Sequence, residues 1–322
     1  MIARRTRFRH ALELGVGLIV VALATRTWIV QGLIVPVTVS SGSMAQRILG
    51  PHTPVTCRRC RYRFNVAAEP AAGGTSRFTC PLCGLDTLDR PASTALTGDQ
   101  LLIDRTALSR GDCPRRWQVV VFRCPDRASQ YGAKRVVALP GEEVAIRRGD
   151  VYIDGEIARK ELPAQRAVAQ LVHREAWDRQ RQQPPRWRAE GERTGWQSCP
   201  GGFRYRPAEP AASQTPQVDW LGYHHLKDRP VDDAVAYNAG LGRVLHPVAD
   251  LMLTFEVQAT GVGQLRLRAD DGRQCFEVSI SSRSGILCLE RDGRQLAQAP
   301  LPAGGLQKPR QLALSLFDCQ LI

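Results

Sequence analysis

The stretch Lys134-Arg135-Val136-Val137-Ala138-Leu139-Pro140-Gly141-Glu142 places a lysine at the head of an apolar run that ends in a proline–glycine turn. Such a run predicts a β-strand over residues 135–139. A free lysine, with a pKa of about 10.4, is protonated and cannot accept a proton. Burial in apolar surroundings lowers such a pKa, which makes Lys134 a candidate general base. Taken alone, Lys134 fits a surface lysine better.

The segments on both sides of this stretch predict further short strands. Apolar triplets and quartets alternate with glycine-containing turns such as Gly149-Asp150 and Asp154-Gly155. We therefore expect a β-rich domain over residues 36–160. The remaining predicted strands are residues 101–103, 119–122, 143–146 and 151–153.

A second candidate for chemistry lies upstream, in Ser41-Gly42-Ser43-Met44. A neutral lysine within hydrogen-bond reach of a serine hydroxyl makes a nucleophile and base pair. Ser43 is therefore the candidate nucleophile and Lys134 its candidate base. Without the lysine, Ser43 fits an ordinary turn serine.

The N-terminus combines a basic tail with an apolar segment. Residues 1–10 hold four arginines and no acid, and residues 11–35 are mostly apolar. This pattern predicts a transmembrane anchor whose basic tail lies in the cytoplasm and whose following residues lie outside it. A cleaved signal peptide and a buried helix are the competing interpretations, and the anchor is favoured.

Two C-x-x-C pairs, Cys57/Cys60 and Cys80/Cys83, are separated by 19 residues. Knuckles at this spacing predict four thiolates around one structural zinc ion, in a zinc-ribbon insert over residues 52–92. Four cysteine ligands leave no open position, so a catalytic metal is not expected. Two disulfides are the alternative, because the predicted topology puts this insert in an oxidising compartment.

The C-terminal half divides into two parts. Residues 161–245 are rich in proline and predict a connector with a helix over residues 164–182. From residue 246 to 322 apolar residues alternate, with Asp271-Gly272 and Asp292-Gly293 as hairpin turns. This pattern predicts an antiparallel β-sandwich module similar to the concanavalin or laminin-G jelly roll.

The chain of 322 residues has a net charge of +13, supplied almost entirely by arginine. It shows no recognition-helix pattern and no basic stripe with interleaved aromatic residues. Solvated arginine-rich faces are therefore favoured over a nucleic-acid site, and no nucleic-acid partner is expected.

Four blocks, in this order along the chain, together resemble the bacterial type I signal peptidases. The resemblance implies a β-rich catalytic domain with a serine–lysine dyad, in which Ser43 is the nucleophile and Lys134 the base. It also implies that the Ser41 hydroxyl and the backbone N–H of Ser43 bind the oxyanion. The blocks are Arg26–Gln31, Ser41–Met44, Gly98–Ile103 and Lys134–Glu142.

The family resemblance implies a serine endopeptidase that needs no cofactor for catalysis. It would cut signal-peptide-bearing precursors after Ala-x-Ala motifs, as a single-pass protein of the inner membrane with its catalytic part on the extracytoplasmic side. The family's late Gly-Asp-Asn block, which buttresses the lysine, is not found, so we expect a C-terminally incomplete chain that is weakly active or inactive as it stands. The alternative is a non-catalytic, membrane-anchored binding protein on a degenerate peptidase core; a self-cleaving repressor-type peptidase gives no reason for the anchor.

Overall fold

The computed structural model describes residues 2–68, 78–87, 94–106, 113–175, 185–191, 194–207, 218–241, 244–272, 274–302 and 305–322. The fold is mainly β, with 42% strand and 14% helix, and its sheets are antiparallel. The predicted β class is therefore confirmed. The predicted domain boundaries at residues 10, 35, 160 and 245 stay predictions.

The elements of the described residues follow in chain order. The helical ones are α1 (Ile2–Ala24), a π-helical continuation (Thr25–Leu33), α2 (Leu162–Val168) and two 3₁₀ segments (Leu226–Asp228 and Ala236–Leu241). The strands are β1 (Ile34–Thr38), β2 (His52–Thr56), β3 (Arg63–Ala67), β4 (Phe78–Thr79), β5 (Asp86–Thr87), β6 (Gln100–Asp104), β7 (Val119–Cys124), β8 (Arg127–Arg135), β9 (Val144–Arg147), β10 (Asp150–Ile153), β11 (Glu156–Ile157), β12 (Trp187–Ala189), β13 (Trp196–Cys199), β14 (Gly202–Tyr205), β15 (Leu221–Tyr223), β16 (Leu251–Val257), β17 (Gln264–Asp270), β18 (Cys275–Ser281), β19 (Ile286–Arg291), β20 (Arg294–Pro300), β21 (Arg310–Phe317) and β22 (Gln320–Leu321).

The N-terminal apolar helix is exposed along the segment whose burial the structure describes. Its segment His10–Trp28 is long and apolar enough to cross a membrane, and none of it is buried. Leu14 and Leu18 expose 69% and 70% of their surface. An apolar helix left bare in this way is consistent with a membrane-anchored protein.

Three small antiparallel sheets form the region around the predicted catalytic residues: β1 with β6, β7 with β8, and β9, β10 and β11 as a meander. Four of the five predicted strands are confirmed as β6, β7, β9 and β10. The strand predicted over residues 135–139 is wrong, because β8 occupies residues 127–135 and Lys134 lies near its end. A two-residue turn at Pro125-Asp126 folds the polar segment onto apolar β7, so hairpin pairing outweighs the apolar run that follows.

The connector contains more structure than its sequence indicates. Its helix α2 starts at Leu162 and ends at Val168, so the prediction of residues 164–182 is wrong in extent. Ala169 is already extended, with ψ of 139°, and residues 169–174 are not helical. Residues 176–184 lie outside the described residues. Beyond them β12 pairs with β15, and β13 pairs with β14.

The C-terminal module has two sheets, β16-β21-β22 and β17-β18-β19-β20. The alternation predicted from the sequence is confirmed in β18, where Phe276, Val278 and Ile280 are buried with 5%, 7% and 1% exposure. Side chains from both sheets share one apolar cluster. The turn predicted at Asp292-Gly293 joins β19 to β20, with positive φ at both residues. The jelly-roll assignment itself stays a prediction.

Candidate active site

Residues 39–50, here called the serine loop, carry Ser41 and Ser43. Antiparallel pairing of β1 with β6 brings the start of this loop beside the Gly98-Asp99 block. Val39 N donates to Asp99 O over 2.9 Å, and Leu49 N donates to the Asp99 carboxylate over 2.7 Å. Asp99 N in turn donates to Leu49 O over 2.8 Å. One aspartate therefore fastens both ends of the serine loop.

The β7–β8 hairpin carries the predicted base to this loop. Lys134 pairs with Val120 across the hairpin, and its Nζ donates a short hydrogen bond to Ser43 Oγ. Ser41 Oγ lies 3.4 Å from Ser43 Oγ. The structure thus brings together three residues that the sequence singled out, although Lys134 is 91 positions from Ser43.

The expected burial of Lys134 is not found. Lys134, Ser43 and Ser41 are all exposed. In the described residues β8 pairs with β7 alone, so one edge of the strand that bears the lysine is open. Two strands alone do not enclose a side chain near the end of one of them. The apolar residues 136–139 that follow Lys134 do not bury it either.

The backbone after Lys134 is fixed by the segment that precedes β7. Trp117 N donates to Val136 O, and Val136 N donates to Gln118 O, each over 2.8 Å. The Arg135 guanidinium donates to Trp117 O over 2.6 Å. These hydrogen bonds continue the β7–β8 pairing by one residue beyond the end of β8 at Arg135. The backbone that follows Lys134 is therefore held in place by hydrogen bonds.

A buried ion pair joins this region to the C-terminal module. Lys160 Nζ lies 2.6 Å from Asp318 Oδ1, and Asp318 is only 1% exposed. The same ammonium lies 4.6 Å from the centre of the Trp117 ring, a cation–π distance. Sequence reasoning missed this contact, because Asp318 sits in a turn 158 residues away from Lys160 and nothing local marks it as buried.

Asp250 adjoins this ion pair. Burial raises the pKa of the Asp250 carboxyl from 3.8 to about 6, although Asp318 N donates a hydrogen bond to it that acts in the opposite direction. The negative charges of Asp318 and Asp150 add to the increase. The junction between the two regions therefore contains a carboxyl group that titrates near neutral pH.

The four predicted cysteine ligands form one cluster. We call it, with strands β2–β5, the cysteine knob. Cys57 Sγ lies 3.5 Å from Cys83 Sγ, and Cys60 Sγ lies 3.5 Å from Cys80 Sγ. All four sulfurs lie within 4.8 Å of one another. A disulfide would need about 2.05 Å, whereas sulfurs in a tetrahedral zinc site lie about 3.8 Å apart.

The electrostatics of the cluster fit a cation. A hydrogen bond with the Cys80 thiol lowers the pKa of Cys83 to about 5, and the same bond raises the pKa of Cys80. Burial raises the pKa of Cys60 to about 11. Without a metal, Cys83 therefore loses its proton more readily, while Cys80 and Cys60 keep theirs. A divalent cation bound at the centre of the cluster would stabilise all four cysteines as thiolates.

The connector covers the cysteine knob, which the sequence did not indicate. Arg186 is 5% exposed, and its guanidinium donates a short hydrogen bond to Leu82 O, inside the second knuckle. Leu226 lies over Gly84, where an added Cβ would come within 3.1 Å of its side chain. Ala236 belongs to the apolar core of the knob. Three separate connector segments thus contact the knob.

Comparison with known protein families gives a match for part of the chain. Residues 85–193 match the family model described as signal peptidase, peptidase S26. The match supports a signal peptidase I-like domain in this chain. It includes Lys134 and strands β6–β11, whereas Ser41 and Ser43 lie before it. No match was found among curated proteins or solved structures.

Proposed function

We propose that this protein is a membrane-anchored serine endopeptidase of the signal peptidase I type. The observation that carries the proposal is the hydrogen bond between Lys134 Nζ and Ser43 Oγ, formed by a lysine within the family match and a serine from the anchored N-terminal segment. The family match favours this function over a non-catalytic binding protein.

In the proposed reaction Ser43 Oγ attacks the scissile carbonyl carbon, and its proton passes to neutral Lys134 Nζ. The C–N bond breaks, the leaving amine takes that proton, and an ester with Ser43 remains. Water then attacks the ester carbonyl carbon and gives a proton to Lys134. The C–O bond to Ser43 breaks, Ser43 Oγ takes that proton back, and the cleaved peptide leaves with its new carboxyl group. A bound substrate covers the exposed pair and removes water from it, which favours the neutral amine that the first step needs.

Ser41 is the proposed side-chain donor to the oxyanion. Its hydroxyl lies two residues from the nucleophile and 3.4 Å from Ser43 Oγ, on the same loop. The backbone N–H of Ser43 is the second donor. Donors held in position before the reaction are worth about 3–4 kcal/mol each in acyl transfer.

Substrates of the proposed enzyme are precursors with a signal peptide, cut after Ala-x-Ala. Residues 11–35 would anchor the protein in the inner membrane as a single span, with residues 1–10 in the cytoplasm and the dyad outside it. The four thiolates would hold a structural zinc ion, whose binding energy stabilises the fold of the knob. We also propose that the C-terminal module is a jelly-roll sandwich.

The test is cleavage of an Ala-x-Ala precursor by the purified full-length protein in detergent. Ser43→Ala and Lys134→Arg should each lower kcat/KM by about 10⁴-fold or more. Arginine keeps a positive charge but cannot accept the proton, so it separates base catalysis from electrostatics. Lys308→Arg is the matched control, because Lys308 is also exposed but lies in the C-terminal module.

Equal cleavage by wild type and Lys134→Arg would refute the mechanism. Absence of cleavage by the folded full-length protein, with an intact precursor, would favour the binding protein instead. A Lys308→Arg loss as large as that of Lys134→Arg would show that the assay reports lysine charge in general.

A further inference from the structure

The ring of Tyr237 lies directly against Gly42, the residue between the two serines. Tyr237 belongs to the connector, in the 3₁₀ segment Ala236–Leu241, and is only 4% exposed. A Cβ added at Gly42 would lie 2.7 Å from Tyr237 Cδ1 and closer still to Cε1. Real side chains do not approach so closely, so at this position the loop backbone rests on the aromatic ring.

The hydroxyl of the same tyrosine fixes the far end of the serine loop. Tyr237 Oη donates to Pro51 O over 2.9 Å. A Cβ added at Gly50 would lie 2.9 Å from this hydroxyl and 2.7 Å from the carbonyl carbon of Ser41. Burial raises the pKa of Tyr237, so the hydroxyl keeps the proton that it donates. One side chain therefore contacts both Gly42 and the chain just beyond Gly50.

These contacts complete the restraint that Asp99 begins. Asp99 ties Val39 to Leu49, at the two ends of the serine loop, by backbone and carboxylate hydrogen bonds. Within the loop, Ala45 N donates to Gly42 O over 3.0 Å, so a movement of Gly42 would shift the turn that carries Ser43. The tyrosine ring is the wall that opposes such a movement.

We infer that Tyr237 is a positioning residue for the serine loop, holding Gly42 so that Ser43 Oγ stays in hydrogen-bond reach of Lys134. This role rests on the proposed peptidase function, and it assigns to the connector a part in catalysis. Because Ala236 packs in the core of the cysteine knob, the wall is itself held by the knob.

The expected effect is on turnover rather than on substrate binding. Tyr237→Leu removes the wall and lets the loop relax, and misplacing a nucleophile by about 1 Å costs on the order of 10²-fold in rate. We expect kcat to fall by about that factor while KM changes little. Tyr237→Phe keeps the ring and loses one hydrogen bond, so kcat should stay within about tenfold of wild type.

A reciprocal variant tests the contact itself. Gly42→Ala pushes a methyl group into the ring and should lower kcat, and combining it with Tyr237→Leu should be less harmful than the sum of the two changes. If the losses in kcat of Gly42→Ala and Tyr237→Leu are additive in the double variant, the two residues do not interact and the inference is wrong.

Phe276→Leu is the control for loss of a buried aromatic ring elsewhere. It lies in the C-terminal module and should lower the unfolding temperature without changing kcat.

Amide hydrogen exchange gives a readout that does not depend on cleavage. In Tyr237→Leu, peptides covering residues 40–50 should exchange faster, while peptides of β17–β18 keep wild-type rates. Unchanged exchange in residues 40–50 would overturn the inference even if kcat of Tyr237→Leu falls as expected. If the wild-type chain does not cleave the precursor but the exchange difference is found, the positioning role survives and the peptidase function fails.

Discussion

The cysteine knob and the serine–lysine pair are built in opposite ways. Cys57, Cys80 and Cys83 are at most 2% exposed and lie inside an apolar core of their own. Ser43 and Lys134 are exposed, and they meet through one hydrogen bond between segments that are distant in sequence. The knob holds its own residues in place, whereas the position of the pair is set by neighbouring elements.

This difference separates stability from activity. Substitutions in the knob remove buried side chains against which other core residues pack, so they first lower the stability of the fold. Substitutions in the pair remove exposed side chains, so their first effect is on chemistry. Three changes, ordered from the largest expected effect to the smallest, test how far this separation holds.

The largest effect is expected from the pair itself. Ser43→Ala combined with Lys134→Ala should lower kcat/KM by about the same factor as either single change, on the order of 10⁴ or more, because each group is useless without the other. The unfolding temperature should stay within about 2 °C of wild type, since exposed substitutions cost little. Precursor cleavage and calorimetry measure the two quantities.

If the fall in kcat/KM of the double variant equals the product of the two single falls, Ser43 and Lys134 act independently. A large drop in unfolding temperature would contradict the contrast with the knob, because the exposed pair would then stabilise the fold.

The next effect is on the knob. Cys80→Ser should lower bound zinc from about one ion per chain towards none and destabilise the knob by several kcal/mol, because zinc binding energy in such sites is folding energy. Since Ala236 packs in the knob and Tyr237 follows it, kcat should fall as well, by about as much as in Tyr237→Leu. Metal analysis and cleavage kinetics check both parts.

Cys288→Ser is the matched control for this change, because Cys288 lies in β19, outside the knob. Purified wild-type protein without zinc and with four oxidised knob cysteines would overturn the metal proposal in favour of two disulfides. If Cys80→Ser loses all of its zinc but keeps the wild-type kcat, the cysteine knob does not influence the serine loop.

The smallest effect is at the junction with the C-terminal module. The pKa of Asp250 is raised to about 6 in the folded protein, so the native state binds this proton more tightly than the unfolded state does. The contribution of Asp250 to the free energy of unfolding should therefore fall as pH rises from 3.8 to about 6, and it should stay constant above that range. Asp250→Asn should gain about 1 kcal/mol at pH 7.5, a figure reduced because the carboxyl is partly exposed.

The gain should shrink as pH falls towards 4, and thermal unfolding across that range measures it. Glu256→Gln, an exposed carboxyl change on the neighbouring strand β16, should show no such trend. An Asp250→Asn variant that is destabilised equally at every pH would mean that its carboxylate is needed in charged form.

The sequence identified local patterns well and contacts between distant segments poorly. Alternation in β17 and β18 follows from the neighbouring residues alone, which is why this prediction agrees with the structure. In β16 and β21 the burial does not alternate strictly, and the zinc site predicted from the knuckle spacing stays a prediction. The strand predicted over residues 135–139 failed because a hairpin turn ten residues earlier sets the pairing of β8.

Of the candidate site, Ser43, Lys134 and Ser41 came from residue type and family resemblance, and the structure brings them together. Tyr237 and Asp318 could not be found in this way. Each lies in a short turn or 3₁₀ segment, and its importance comes from burial against residues more than 150 positions away. Such packing leaves no periodic signal in the sequence.

The passage from the N-terminal helix into the domain has a consequence for the reach of the proposed peptidase. Helical chain ends at Leu33 and β1 begins at Ile34, so no flexible linker separates the apolar span from the strand that leads to the serine loop. Five strand residues span about 17 Å. If the helix lies in a bilayer, this strand sets the height of Ser43 above it, and in the proposed reaction a precursor would have to present its scissile bond at that height.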